Sequence, residues 1–191
     1  MVIVVGSPVL LEEPILQARR AGGLSVAIAL AAAEAGARVE LVGKVGDDAA
    51  GDTIAVELER AGVGHAALLR DPSAATPGGS RDRPLPLARQ DVELALRYLI
   101  DFRVIVAAGP LPDPVAEAVA DAARYAGAHR VVIDGTDGAD ADVTVLQAPR
   151  HGDGAFAAFV GRYAALLDAG RDPRDAFTNS VSDVGWEPAR G

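Results

Sequence analysis

Short runs of β-branched and aliphatic residues alternate along this chain with longer Ala-rich stretches. The runs at residues 2–5, 38–42, 103–107, 130–133 and 143–146 predict strands, and a weaker one is predicted at 65–69. Apolar positions at helical spacing predict helices over 22–35, 48–61, 91–100, 114–125, 155–167 and 173–182. Gly62 and Gly127 stand where the second and fourth of these should stop. The strand runs do not alternate polar with apolar, so both faces of each should be buried. Repeated β–α alternation predicts a three-layer α/β/α sandwich around a mostly parallel sheet.

Two stretches break the pattern. Residues 71–86 (DPSAATPGGSRDRPLP) are rich in Pro, Gly and Ser and predict a flexible loop, while 135–142 (GTDGADAD) is acidic turn material. Residues 185–191 read as a C-terminal tail, leaving 1–184 as one α/β unit.

Composition narrows the function classes. Half of the 191 residues are hydrophobic and only 4% aromatic, so the core is built from Ala, Val and Leu. The net charge is −9, which disfavours nucleic acid and anionic membranes as partners. There is no Cys, which excludes thiolate catalysis and Cys-based metal sites. No apolar run approaches the roughly 20 residues of a membrane span, and no secretory leader pattern is visible, so the expectation is a soluble cytoplasmic protein. No P-loop motif and no Ser nucleophile elbow occurs.

The most specific stretch is residues 21–63, AGGLSVAIALAAAEAGARVELVGKVGDDAAGDTIAVELERAGV. A Gly-Gly pair, a helix, a strand ending in Val-Gly-Lys-Val-Gly-Asp-Asp, then Gly-Asp and a helix closing on Ala-Gly-Val follow one another in order. This resembles the N-terminal signature of the ribokinase-like (PfkB-type) carbohydrate kinases. Residues 154–181 (GAFAAFVGRYAALLDAGRDPRDAFTNSV) are similar to that family's anion-hole helix and the Asp-Pro helix after it. Residues 104–134 are similar to its central β–α–β unit. The resemblance implies a ribokinase-like fold and phosphoryl transfer from ATP, with Mg²⁺, to a sugar hydroxyl. It also implies an anion hole at a helix N-terminus and a carboxylate base.

Carried over residue by residue, the resemblance keeps the scaffold and loses the chemistry. The family's Gly-Ala-Gly-Asp-Ala-Phe-x-Gly falls on Gly154-Ala155-Phe156-Ala157-Ala158-Phe159-Val160-Gly161. Phe156 replaces the second Gly, putting bulk where phosphate should approach, and Ala157 replaces the base. A register shifted by one residue leaves Asp153 as the alternative catalytic base. The sugar-binding Asp after the first strand is missing from Gly6-Ser7-Pro8-Val9-Leu10-Leu11, and the Asn that follows the Gly-Gly pair is Ala27. The region that carries the Asn-x-x-Glu magnesium motif is nearly absent between residues 134 and 154. Residues 12–21 are too short for the usual lid strands, so the lid should be reduced or absent and lid-based dimers should not form.

Each remaining candidate has two readings. Gly22 and Gly23 approach a substrate backbone to backbone, or they make a tight helix entry. Gly154 and Ala155 bind the nucleotide's phosphate through their amides, or simply begin a helix. Asn179 lines an adenine pocket, or lies exposed on its helix. Asp47-Asp48 is better read as a helix cap than as a metal pair, and no metal ligands are assigned. His151 lies beside Asp153, and His65 has no evident partner. The expectation is a ribokinase-like pseudokinase that binds a nucleotide or other small molecule, a protein partner or a second copy. An active kinase using Asp153, with ATP and Mg²⁺, is the alternative.

Overall fold

The computed structural model describes residues 1–13, 18–79, 82–135, 142–149 and 154–184. Among these, seven strands form one sheet: β1 (Val2–Val5), β4 (Val39–Gly46), β5 (Val63–Gly64), β6 (Leu68–Asp71), β7 (Val104–Ala107), β8 (His129–Ile133) and β9 (Val143–Leu146). The order is β5-β4-β1-β7-β8-β9, with β6 also paired to β4, and every pairing is parallel. Register places Val2 beside both Val39 and Val104, and Val5 beside Val42 and Ala107. Strand residues of one parity therefore share a face.

The two faces are covered by different helices, as buried parallel strands require. Val2, Val4, Leu41, Val106 and Val131 pack in one core with α1 (Leu24–Glu34), α2 (Ala49–Arg60), α5 (Gly154–Asp168) and α6 (Pro173–Val184). Ile3, Val5, Val42 and Ile105 pack in the other with α3 (Arg89–Tyr98) and α4 (Asp113–Ala126). The expected α/β/α sandwich is thus present, and α4 ends at left-handed Gly127 as its sequence implies.

The reduced lid is borne out, but the expectation that residues 12–21 are too short for lid strands fails. Residues 9–22 hold two strands, β2 (Val9–Glu13) and β3 (Ala18–Gly22), paired antiparallel with Glu12 opposite Arg19. The lid is therefore reduced to a two-strand ribbon and is not missing. The ribbon does not stand free: Leu10 and Ala21 are buried in the first core, and the Ala21 amide donates to Glu57 of α2. An isolated two-stranded ribbon is marginal in water, and docking its apolar side chains on α1 and α2 is what stabilises it. Its presence also moves the start of α1 from residue 22 to Leu24.

Residues 72–79 lie along the ribbon. The Leu10 amide donates to the Pro77 carbonyl and the Gly79 amide to the Leu10 carbonyl. Thr76 is buried beside the start of α2, where its amide and hydroxyl both donate to the Asp48 carboxylate, at 2.8 and 2.7 Å. Asp48 also caps α2 by accepting from the Gly51 amide at 2.8 Å, and the Gly46 amide donates to the Thr76 hydroxyl. These donors, the Thr76 amide first, hold the Asp48 carboxyl below its usual range. The Gly-Asp-Asp segment is thus a junction between β4, α2 and the following loop, and Asp47 beside it is exposed.

Candidate functional site

Parallel α/β sheets bind ligands outside the carboxyl ends of their strands, where the strand order reverses. Here the reversal lies at β1. From β1 the chain reaches β4 on one side through α1, and after β6 it crosses to β7 on the other through α3. α1 and α3 lie on opposite faces, so a crevice opens between the ends of β1 and β7. It holds a cavity of about 570 Å³. Its floor is Gly6 and Ser7 from β1's end and Ser25 from the first turn of α1. Leu24 and residues 108–112 form its sides, and residues 83–87, just before α3, form a strap across it.

Lys44 organises two sides of this cavity. Its backbone amide donates to the Ser7 hydroxyl at 3.1 Å. Its Nζ lies 2.6 Å from Asp91, in the first turn of α3, and both side chains are largely covered. Asp91 in turn accepts from the Ala88 amide at 2.8 Å and so fixes the start of α3 below the strap.

Gly22 and Gly23 do not line the cavity. Gly22 is buried against Leu11, whose Cδ1 lies 2.3 Å from where a Cβ at residue 22 would stand. Gly23 is the N-cap of α1 with φ of 95°, a conformation that favours glycine. Together they make the entry from ribbon to helix. Ala27 packs against the core from α1.

At the other helix, α5, Gly154 is exposed with no atom within 4 Å of a Cβ position, and Ala155 is half-buried. Phe156 is only 2% exposed and belongs to the core, as does Ala157. The expectation that Phe156 blocks the helix start is corrected. Its ring lies in the core with the helices that cover this face of the sheet. Gly161 has a packing role: a Cβ there would stand 2.6 Å from the Ala31 Cβ and 2.7 Å from the Ala32 nitrogen. Both helices run opposite to the parallel strands, α1 leading into β4 and α5 leaving β9. Gly161 lies seven residues into α5 and Ala31 seven into α1, so their contact sets Gly154 level with Leu24. Neither helix has an acidic side chain in its first turn. Asn179 is exposed on α6. Asp153 and His151 lie outside the described residues.

Behind α5 runs a polar chain that sequence reasoning did not find. His129 Nε2 is 2.9 Å from the Thr144 hydroxyl, which is 2.9 Å from the Tyr163 hydroxyl. Burial pushes the His129 imidazole down and the Tyr163 hydroxyl up from their ordinary values. Ser7, Ser25 and the strap were also missed as cavity residues. Their only signal was position, at the end of a strand, at a helix start and in a Pro-rich loop.

Among the described residues no three His, Cys, Asp or Glu side chains are placed to hold a metal ion. No helix among them is long and apolar enough to cross a membrane.

The parallel sheet and its strand order give a ribokinase-like α/β fold. Residues 13–78 match the family model described as pfkB family carbohydrate kinase. No curated protein matches it by sequence. In fold it is similar to the protein Sa239, with a TM-score of 0.71, 14% identity, and 99% of this chain and 95% of that one covered. Aminoimidazole riboside kinase from Salmonella enterica gives a TM-score of 0.69 at 16% identity, with 96% and 90% covered. Ribokinase from Arabidopsis thaliana, solved with ribose and ATP, gives 0.67 at 15%, again with 96% and 90% covered.

Proposed function

We propose that this chain is a ribokinase-like scaffold that binds a small ligand in the β1–β7 crevice and does not transfer a phosphoryl group. The observation that carries this reading is Ala157. In the register supported by Gly161 it holds the place of the family's base, and its methyl is packed in the core. A methyl accepts no proton, so a sugar hydroxyl brought there would not be activated. The open start of α5 at Gly154 and Ala155 does fit an anion, so ATP or ADP binding without turnover is compatible with it. Three of the structural neighbours were solved with ATP, one of them with Mg²⁺ as well.

The test is coupled-assay turnover with Mg-ATP and a panel of pentoses, hexoses and nucleosides. No ADP release above the protein-free rate is expected with any of them. Turnover that Asp153→Ala abolishes would overturn the reading and establish a kinase with a displaced base.

A further inference from the structure

We propose that the cavity between β1 and β7 takes a small organic acid, a carboxylate on a compact apolar body, in preference to a polyhydroxyl sugar. This rests on the ligand-binding reading above and adds the ligand's chemical class. At about 570 Å³ the cavity lies within the range of small-molecule sites, roughly 300–1,000 Å³.

Its lining is sharply divided. Leu24, Leu85, Leu87 and Leu111 give it aliphatic walls, and among the described residues no carboxylate or carboxamide side chain lines it. The polar side chains are Ser7, Ser25 and Arg83. The two serines are 7% and 3% exposed. Ser7 Oγ already accepts the Lys44 amide, which leaves its own hydroxyl hydrogen to be donated. Ser25 donates to the Ser7 carbonyl only at 3.5 Å, a weak bond that a better acceptor would displace. Arg83 is exposed at the strap, and no described residue pairs with it.

These side chains donate, and the other described side chains of the wall are hydrocarbon. A sugar presents several hydroxyls, each needing both a donor and an acceptor partner, and most would face leucine or proline unpaired. A single carboxylate needs donors only. Arg83 and the serine hydroxyls supply them while the apolar body covers the leucines.

The experiment uses the full chain with four probes: phenylacetate, phenylacetamide, D-ribose and inorganic phosphate. Saturable binding is read by calorimetry and by the rise in Tm. Phenylacetate should bind about tenfold tighter than its amide, and tighter than ribose or phosphate. Arg83→Gln should remove that preference for the acid. Leu85→Asp, which puts a carboxylate into the wall, should abolish phenylacetate binding. Equal binding of acid and amide, tighter binding of ribose or phosphate, or no binding of phenylacetate at about 10 mM would overturn the proposal. So would an unchanged preference in Arg83→Gln. Turnover of Mg-ATP is measured separately. Its appearance sinks the non-catalytic reading, whereas its absence together with failed acid binding sinks only the ligand class.

Discussion

Lys44 Nζ lies 2.6 Å from the Asp91 carboxylate, joining the end of β4 to the first turn of α3. Lys44 is also the only lysine in the chain. Both partners are largely covered, so removing one leaves a poorly solvated charge beside the cavity. Lys44→Met should destabilise the fold by about 1–3 kcal/mol, between the values for exposed and fully buried pairs, as read by urea unfolding. The ion pair should also shield Lys44 from acylation. An amine-reactive ester should modify it far more slowly in native protein than in urea, as followed by peptide mass spectrometry.

Gly161 and Gly154 make a matched pair on one helix. Gly161→Ala places a methyl 2.6 Å from Ala31 and against the α1 backbone, which cannot give way locally. The substitution should cost about 1–3 kcal/mol despite alanine's better helix propensity. Gly154→Ala meets no neighbouring atom and should change stability by less than about 0.5 kcal/mol. Equal effects at the two sites would show that α1 and α5 do not pack through Gly161.

Asp48 ties α2 to the loop through three donors. Asp48→Ala should lose about 1–3 kcal/mol at neutral pH. The folded carboxyl sits below its ordinary 3.8, so its contribution is complete above that value and is lost as pH falls through the folded pKa. The stability difference between wild type and Asp48→Asn should therefore shrink on acidification below 3.8. A difference that stays constant there would contradict the hydrogen bonds described.

His129 acts in the opposite pH range. Burial keeps its folded pKa below the ordinary 6.5, so below that pH the unfolded chain takes up a proton that the fold resists. Stability should fall as pH drops from 6.5 and level off once the folded pKa is passed. His129→Gln should flatten this part of the stability profile, and Thr144→Val should alter it through the shared hydrogen bond.

The alternation of strands and helices was legible in the chain because each element depends on local periodicity. The cap at Asp48 and the stop at Gly127 were legible for the same reason: both act within a few residues. The β2–β3 ribbon was not. Its short strands carry too little pattern alone, and only the facing charges of Glu12 and Arg19 hinted at the pairing. The sequence register also placed Phe156 at the start of α5 but could not say which way its ring turns. That depends on how α5 lies on α1 and the sheet.

By itself, then, the sequence determined a parallel α/β scaffold with a ribokinase-like fold. Tertiary structure alone decided the ribbon's seat on α2, the contact of Gly161 with Ala31 and the cavity's makeup. Ser7, Ser25, Arg83 and Leu111 meet there from widely separated parts of the chain. Local propensity carries no record of such a meeting, because it is set by strand order and by which face each helix covers.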